Sequence, residues 1–374
     1  MIPVNTPHLG GNEAAYLQEC IETGWISSEG PFIERFESEL ARYTGRKHAI
    51  AVCNGSAALD AAMIALQIGP GDEVIIPTMT IISCAQAVVH VGATPVVVDC
   101  DADTWNMTAE GVEAVITPRT KAIMAVHIYG LPVDMSPILA LAEKHGLYVI
   151  EDAAEVIGQE YKMTNGEAQK CGSLGDISTF SFYPNKHITT GEGGMVLTDD
   201  DALAARCRSA RNLFFKSGRR FVHDELGYNL RMTNMQAAMG VAQFERLDWA
   251  IQRKREIGHL YQELLADHPM IQLPLPNTEY AENIYWVFGM VLNDDIGFDA
   301  DEAMARLGKH QIGTRPFFWC MHEQPVFRKM GLYEGLKCPV AERLARRGFY
   351  VPSGLALTDK EIYEVAETVK KEIR

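Results

Sequence analysis

The sequence predicts an α/β protein in which a mostly parallel sheet is flanked by helices and followed by a smaller C-terminal α+β domain. Between about residues 48 and 198, short apolar runs alternate with segments of helical periodicity. Strands that are apolar throughout and joined through helices are typical of parallel sheets covered on both faces. After about residue 245 this alternation stops. We therefore expect a large domain over residues 1–245, including an N-terminal arm, and a small domain over residues 246–374.

Seven apolar runs supply the strands of the predicted sheet. They are His48–Cys53, Glu73–Ile76, Thr94–Val98, Lys121–Val126, Leu147–Ile150, Ile177–Phe182 and Gly194–Thr198. Helical periodicity separates them, as in Ala57–Ile68, Thr80–His90 and Met135–His145. Ligands of such sheets bind beyond the carboxyl ends of the strands. We therefore expect the functional site where Asn54–Ser56, Asp152 and Lys186 follow their strands.

The C-terminal part has a different pattern. A helical stretch, Leu247–Leu265, leads to the Pro-rich connection Leu273–Pro276. A strand-like run, Tyr285–Leu292, a helix over Ala300–His310 and a closing helix from Asp359 follow. This mixture predicts the smaller α+β domain.

Composition excludes several classes of partner. The chain has 374 residues and a formal charge of -15, which argues against nucleic acid or an anionic membrane as a main partner. No apolar run reaches the length of a membrane span, and Met1–Pro7 lack the pattern of a signal peptide. Eight cysteines without a CxxC pair favour buried thiols over disulfides or a zinc site. We expect a cytoplasmic protein without a metal.

Lys186 is the most informative residue of the chain. It lies in the run Ser181–His187, directly before the Gly-rich turn Thr189–Gly194, and the acidic segment Glu151–Glu155 ends a strand upstream. A lysine amine forms a Schiff base with a carbonyl cofactor, and a carboxylate can hold a pyridine nitrogen protonated. Most lysines are solvated surface residues, but the aromatic and glycine neighbours of Lys186 favour a buried amine. Lys186 and Asp152 therefore predict an enzyme that carries pyridoxal phosphate.

A phosphate site is predicted at the start of the first helix of the sheet. Gly55 and Ser56 follow a strand, and the free backbone N–H groups of the first helical turn, including Ala57, can bind an anion. An ordinary N-capped helix would explain this segment alone. In combination with Ser181 and Lys186, it favours a phosphate-binding function.

Other candidates have two interpretations each. Glu155 can reach a ring hydroxyl of the cofactor or be an acid in the first turn of a helix. His187 can line the site or pack in the core. The polar segment Gly227–Asn234, which contains Asn229 and Arg231, suits an anion or a helix cap. The segments Thr314–Trp319 and Met321–Gln324, with Arg315, Phe317 and His322, fit nucleotide-sugar recognition or a Phe-Phe-Trp core.

Together these motifs resemble the fold-type I, pyridoxal-phosphate-dependent nucleotide-sugar aminotransferases of the DegT/StrS type. The resemblance covers nearly the whole chain and rests on Thr23–Gly30, Asn54–Ala58, Glu151–Glu155, Lys186–Gly194 and Tyr350–Leu355. Asn185–Gly194, Gly313–Phe318 and His322–Pro325 are most similar to members that aminate C4 of GDP-4-keto-6-deoxy-D-mannose with glutamate, a reaction of polysaccharide (O-antigen) biosynthesis.

The resemblance implies a role for each matching residue. Lys186 forms the Schiff base and moves the proton, Asp152 binds the pyridine nitrogen, and Glu155 binds the phenolic oxygen. Gly55, Ser56, Ala57 and Ser181 hold the phosphate, and Asn229 reaches the cofactor of a neighbouring subunit, which implies a homodimer with shared active sites. The residues implied in substrate binding are Trp25, Ser27, His187, Arg231, Arg315, Phe317 and His322.

One position departs from the family. An aromatic residue often stacks on the cofactor ring in the segment after Pro77–Thr78, but Met79–Ile82 contains none. Either Ile81 packs on the ring or the stacking group comes from elsewhere.

Two other functions stay open from the sequence. The first is amination of a UDP- or dTDP-linked keto sugar at C3 or C4. It stays open because the sequence identifies the catalytic residues better than the residues that recognise the base. A non-catalytic protein of the same fold is the second alternative. Retention of both Lys186 and Asp152 favours a transaminase over the non-catalytic protein.

Overall fold

The structure is a computed structural model that describes residues 1–216, 218–219 and 221–374. Its strands are, in chain order, β1 (His48–Val52), β2 (Glu73–Pro77), β3 (Thr94–Val98), β4 (Thr120–Val126), β5 (Tyr148–Asp152), β6 (Glu160–Lys162), β7 (Ala168–Lys170), β8 (Ile177–Ser181), β9 (Gly194–Thr198), β10 (Ile271–Gln272), β11 (Phe288–Leu292), β12 (Arg315–Pro316) and β13 (Gly348–Val351).

The helices come before, between and after these strands. They are α1 (Glu13–Thr23), α2 (Pro31–Thr44), α3 (Gly55–Ala65), α4 (Ile82–His90), α5 (Ala109–Glu113), α6 (Met135–His145), α7 (Asp201–Ala210), α8 (Asn234–Phe244), α9 (Leu247–Leu265), α10 (Ala300–Lys309), α11 (Pro325–Lys329), α12 (Pro339–Arg347) and α13 (Asp359–Glu372), with a 3₁₀ turn at Met321–Glu323. No helix among the described residues is both long and apolar enough to cross a bilayer.

The central sheet has seven strands in the order β1-β9-β8-β5-β4-β2-β3. The neighbours from β3 through β2, β4 and β5 to β8 are parallel, whereas β9 runs antiparallel to both β1 and β8. The predicted strands and the mostly parallel sheet are thus confirmed. Because β1, β4, β5 and β8 point the same way, their carboxyl ends meet at one edge.

Alternation along the strands explains why the sheet is covered on both faces. In β2, Val74 and Ile76 pack into one apolar core, whereas Ile75 packs into the core of the opposite face. All three side chains are fully buried. Such strands cannot leave either face in water, so helices must flank both.

A second sheet has the order β10-β11-β13-β12 and carries its own apolar core. The long helix α9 connects the two regions, since Leu247 and Ile251 pack in a core of the large sheet and Ile257 and Tyr261 pack in the core of the second sheet. A domain boundary between residues 245 and 246 stays a prediction.

Candidate active site

A cavity of about 460 Å³ opens at the carboxyl edge of the central sheet. Six residues predicted from the sequence lie in its wall: Gly55, Ser56, Asp152, Glu155, Ser181 and Lys186. The volume is in the range of small-molecule binding sites. The strand ends therefore bring the predicted amine, acids and phosphate-binding residues into one place.

The Lys186 side chain is largely buried in this cavity and is 10% exposed. Its Nζ atom lies 3.7 Å from Glu155 Oε1 and 3.8 Å from the centroid of the Trp286 ring. Burial lowers the pKa of Lys186, although the charges of Glu155 and Asp152 oppose this effect. Proton loss from this amine is therefore easier than from a surface lysine, as a nucleophile or general base requires.

Asp152 is the last residue of β5, and its carboxylate is fixed on both oxygens. Ala154 N–H and the Thr179 hydroxyl donate to Oδ1 at 3.1 and 3.3 Å, and the Cys84 thiol donates to Oδ2 at 3.3 Å. These contacts set the orientation of a buried acid that has no lysine or arginine within ion-pair distance among the described residues. Its charge is available to a group in the cavity.

Glu155 is a second buried acid of the site. The backbone N–H of Tyr129 donates to Glu155 Oε2 at 2.7 Å. Burial raises the pKa of Glu155 to about 7, with the Asp152 charge acting in the same direction and Lys186 opposing it. A carboxyl group with this pKa can gain or lose a proton near neutral pH.

The first turn of α3 forms a cradle against β8. A Cβ atom at Gly55 would lie 2.8 Å from Ser181 Cβ, so only glycine allows this close approach. Ser56 Oγ lies 2.7 Å from Ser83 Oγ, which adds a second hydroxyl. The Ala57 N–H donates to Asn54 Oδ1 at 2.8 Å, which caps the helix, so a phosphate contact at Ala57 would have to share this donor. The phosphate contacts stay predictions.

His187 lies outside the wall of the cavity. It is 1% exposed, with Nε2 3.4 Å from Ile284 O and Nδ1 without a partner among the described residues. Burial, together with the charge of Lys254, lowers the pKa of His187 to about 3. Direct contact of this ring with substrate stays a prediction.

Replacement of His187 by asparagine should reduce the acid sensitivity of the fold. A histidine whose folded-state pKa is depressed binds fewer protons folded than unfolded, so its stability contribution falls as pH drops below about 6.5. Between pH 7 and 5, we expect the wild type to lose about 2 kcal/mol more unfolding free energy than His187→Asn in denaturant titrations. His145→Asn, at an exposed position, is the control. Equal losses in wild type and His187→Asn would contradict a neutral buried ring.

Trp25 and Ser27 lie between α1 and α2, and the backbone carbonyl groups of both accept hydrogen bonds from Asn234. Asn234 Nδ2 donates to Trp25 O at 2.8 Å, and Asn234 N–H donates to Ser27 O. The Trp25 side chain is 48% exposed. Neither residue lines the cavity of its own chain, and their role in substrate binding stays a prediction.

Asn229 and Arg231 are joined to each other. Arg231 Nε donates to Asn229 Oδ1 at 2.8 Å, and Asn229 is exposed. Neither residue is in the wall of the cavity. Asn229 is thus on the surface of its own chain, and the roles of Asn229 and Arg231 stay predictions.

The three candidates of the second sheet region lie in different environments. Arg315 is exposed and lines a smaller cavity of about 220 Å³ that shares Trp286 and Tyr350 with the main one. Phe317 is buried against Tyr129 at a ring distance of 4.6 Å, and its neighbour Phe318 faces the main cavity instead.

His322 is buried and engaged on both ring nitrogens. Nδ1 lies 2.7 Å from Thr78 Oγ1, and Nε2 lies 3.1 Å from Glu342 Oε1. This network already satisfies the ring, so a substrate contact at His322 would have to break it. Substrate contacts by Arg315, Phe317 and His322 stay predictions.

Several residues of the site carry no sequence motif that could have identified them. Trp286 lines the cavity but comes from the second sheet region, far along the chain. Tyr350 also lines it, and its segment Tyr350–Leu355 supports the family resemblance without indicating a place in the site. Ser83 contributes its hydroxyl from α4. Ile81, the predicted alternative to a stacking aromatic residue, lies in the wall and is 42% exposed, whereas Met79 is fully buried.

The cavity fits pyridoxal phosphate. It combines a buried amine for the aldehyde, a fixed carboxylate for the pyridine nitrogen and a glycine cradle with hydroxyls at a helix N-terminus for the phosphate. Lys186, Asp152, Gly55, Ser56 and Ser181 would hold the group.

Among the residues that the structure describes, two groups of side chains have the composition of metal sites. They are His127, Glu151 and Cys171, and His322, Glu323 and Glu342. In the first, His127 Nδ1 accepts from Val133 N–H and Nε2 lies 3.1 Å from Glu151 Oε1. In both groups, protein atoms thus already occupy the two ring nitrogens of the histidine. The expectation that no metal takes part stays a prediction.

Comparison with known proteins places this site in a family. The model of the DegT/DnrJ/EryC1/StrS aminotransferase family matches residues 7–370. The GDP-perosamine synthase of Vibrio cholerae is 41% identical over 99% of this chain and 98% of that protein, and the enzyme of that name from Caulobacter vibrioides is 44% identical over 97% and 96%. The solved PLP form of Spr1654 from Streptococcus pneumoniae superposes with a TM-score of 0.91 at 25% identity, covering 99% of this chain and 98% of that one. The chain therefore belongs to the DegT/DnrJ/EryC1/StrS aminotransferase family.

Proposed function

We propose that this protein uses pyridoxal phosphate to transfer the amino group of L-glutamate to C4 of GDP-4-keto-6-deoxy-D-mannose, which gives GDP-perosamine for polysaccharide biosynthesis and leaves 2-oxoglutarate. The observation that carries this proposal is the position of the Lys186 amine. It lies 3.7 Å from Glu155, at the edge of the sheet where Asp152 ends β5. Two relatives above 40% identity along nearly their whole length are named GDP-perosamine synthase, which supports the choice of sugar.

Lys186 performs the proton transfers. When bound, pyridoxal phosphate supplies a carbonyl that takes up the amino group and a ring that accepts electrons. Burial lowers the pKa of Lys186, so its Nζ atom can take a proton from the donor carbon and return it to the acceptor carbon. One amine would thus serve both half-reactions of a ping-pong transfer at the same place.

The two acids set the charge around the ring. Asp152, held by Thr179, Cys84 and Ala154, has a fixed carboxylate that would bind the pyridine nitrogen and keep it protonated. Glu155, with a pKa raised to about 7, faces Lys186 and can bind the phenolic oxygen through a shared proton. The hydroxyls of Ser56 and Ser181 would bind the phosphate beside Gly55.

Aromatic side chains limit the access of water to the amine. Trp286, Phe318 and Tyr350 line the cavity, and the Trp286 ring covers Lys186 Nζ. A dry site strengthens the interactions of the charged groups inside it. It also protects the amino group in transit from hydrolysis.

Nucleotide preference tests the proposed substrate. Purified protein is supplied with glutamate and, separately, with GDP-, UDP- and dTDP-linked 4-keto-6-deoxy sugars and a 3-keto sugar. We expect a kcat/KM at least ~10-fold higher for the GDP sugar, because a site built around one base leaves polar groups unpaired with another. Chromatographic product analysis and NMR identify the aminated carbon. A preference for UDP or dTDP, or amination at C3, would reject this substrate while leaving transamination intact.

We further propose a homodimer in which Asn229 reaches the phosphate of the partner's cofactor. Asn229 is exposed and lies outside the cavity of its own chain, which supports a role across an interface. Sedimentation equilibrium should give twice the chain mass of 41.5 kDa. An active preparation with the mass of a single chain would exclude an active site that is shared between two subunits.

A cytoplasmic location completes the proposal. All eight cysteines are free thiols, and seven of them are buried. Free thiols persist in reducing compartments. Immunoblots of fractionated cells should find the protein with cytoplasmic markers rather than in the periplasmic or membrane fractions.

A further inference from the structure

A second buried lysine lies beside the site and plays no part in the chemistry described above. Lys254, in α9, is 1% exposed, and its neighbours in sequence are the charged residues Arg253 and Arg255. Among the described residues, the Lys254 amine forms no ion pair with a carboxylate. A buried amine without a counter-ion is costly and is rare without a reason.

The Lys254 amine binds two backbone carbonyl groups. Its Nζ atom donates to Trp286 O at 2.6 Å and to Ser353 O at 2.7 Å. The other end of Trp286 is also fixed, because indole Nε1–H donates to Asn185 O at 2.9 Å. Trp286 is thus held from both sides, and its ring lies 3.8 Å from Lys186 Nζ.

The segment before Trp286 is strained and packs directly on α9. Tyr285 has a φ of 50°, in the left-handed region that non-glycine residues avoid. A Cβ atom at Gly258, one turn after Lys254, would lie 2.2 Å from the Tyr285 ring, so this ring rests on the backbone of α9. A strained segment needs fixed contacts to persist, and the Lys254 amine provides one at the next residue.

We propose that Lys254 is a positioning residue that anchors Trp286 so that its indole face stays against the Lys186 amine. The inference deepens the proposed function and rests on it only for the identity of Lys186 as the reacting amine. A π face stabilises an ammonium group over a neutral amine. Burial favours the neutral form of the Lys186 amine, and contact with the Trp286 ring favours the ammonium form. Lys254 maintains this contact by fixing the ring.

The anchoring does not depend on the charge of Lys254. Burial, with a smaller effect of Lys186, lowers the pKa of Lys254 to about 7. Either form has the two N–H groups that Trp286 O and Ser353 O require. The charged and titratable groups that act on the two amines and on nearby His187 are Glu155, Asp152, Cys84 and Arg255.

The test measures the pKa of Lys186 in full-length, cofactor-free protein. Trace acetylation with isotopic acetic anhydride over a pH series, followed by peptide mass spectrometry, gives this pKa without any sugar or turnover. In Lys254→Met, which keeps the length of the side chain, we expect the pKa of Lys186 to fall by roughly 1 unit because the ammonium form loses the indole face. In the enzyme loaded with pyridoxal phosphate, the pKa obtained from a pH titration of the cofactor absorbance should also fall.

Three further variants separate positioning from other roles. Trp286→Leu should lower the pKa of Lys186 by the same amount, and Lys254→Met/Trp286→Leu should lower it no further. Tyr261→Phe removes a hydrogen bond from α9 to Pro352 O, in the same region but without contact to Trp286. We expect this control to lose stability and to leave the pKa of Lys186 unchanged.

Distinct outcomes would overturn the inference. An unchanged pKa of Lys186 in Lys254→Met would assign Lys254 to stability alone, and a raised pKa would show a charge effect instead of anchoring. The inference would also be rejected if the effects of Lys254→Met and Trp286→Leu on the pKa of Lys186 were fully additive. If methionine prevents folding, Lys254→Leu, which also lacks an N–H donor, replaces it, and again the absence of a fall rejects the inference. Failure to aminate any keto sugar would reject the proposed function but leave this measurement intact.

Discussion

Replacement of Lys186 by alanine is expected to lower the rate of amino transfer by at least ~10³-fold, because one side chain supplies both the covalent link to the cofactor and the proton relay. Truncation adds space to an existing cavity and removes a buried amine, so the fold should persist. Product formation from glutamate and GDP-4-keto-6-deoxy-D-mannose measures the loss, with circular dichroism as the check on folding.

The matched control is Lys170→Ala. Lys170 also lies near an acid and an aromatic ring, Glu160 and Tyr43, but away from the cavity. It should keep the wild-type rate. Borohydride reduction of the loaded wild type, followed by peptide mapping, should leave the cofactor on Lys186. Attachment elsewhere, or more than about a tenth of the rate in Lys186→Ala, would contradict the assignment.

The sheet could be predicted from the sequence because its signal is local. Runs such as Thr94–Val98 and Gly194–Thr198 are apolar and short, and both were predicted with the bounds that the structure has. The direction of β9 could not be predicted in this way, since an apolar run looks the same in parallel and antiparallel pairs. Lys186 and Asp152 could be placed together because strand ends meet at one edge.

The rest of the site depends on tertiary packing. Lys254 lies in the charged run Gln252–Glu256, which resembles a solvated helix face, yet its side chain is buried under Trp286 and Ser353. Periodicity cannot show which member of such a run faces the core when the core includes carbonyl groups. Trp286 likewise has no motif, because its partner Lys186 is distant in sequence.

Asp152→Asn is expected to lower kcat by roughly 10²–10⁴-fold while leaving the protein folded. Asparagine has the same shape, so the contacts from Ala154 and Thr179 to Oδ1 can persist. The amide has no negative charge to keep the pyridine nitrogen protonated, and the ring then accepts electrons less well. Stopped-flow absorbance of the glutamate half-reaction measures the effect before any sugar is involved.

Thr179→Val distinguishes the charge of Asp152 from its orientation. Valine removes one hydroxyl contact and keeps the carboxylate, which Ala154 and Cys84 still hold. We expect a loss of at most ~10–10²-fold, because one hydrogen bond to a charged group contributes about 1.5–3 kcal/mol and two contacts remain. If Thr179→Val were as impaired as Asp152→Asn, orientation would be the main contribution. If Asp152→Asn were within tenfold of wild type with cofactor bound, the carboxylate would have no role in the electron sink, and the chemistry would depend on Lys186 alone.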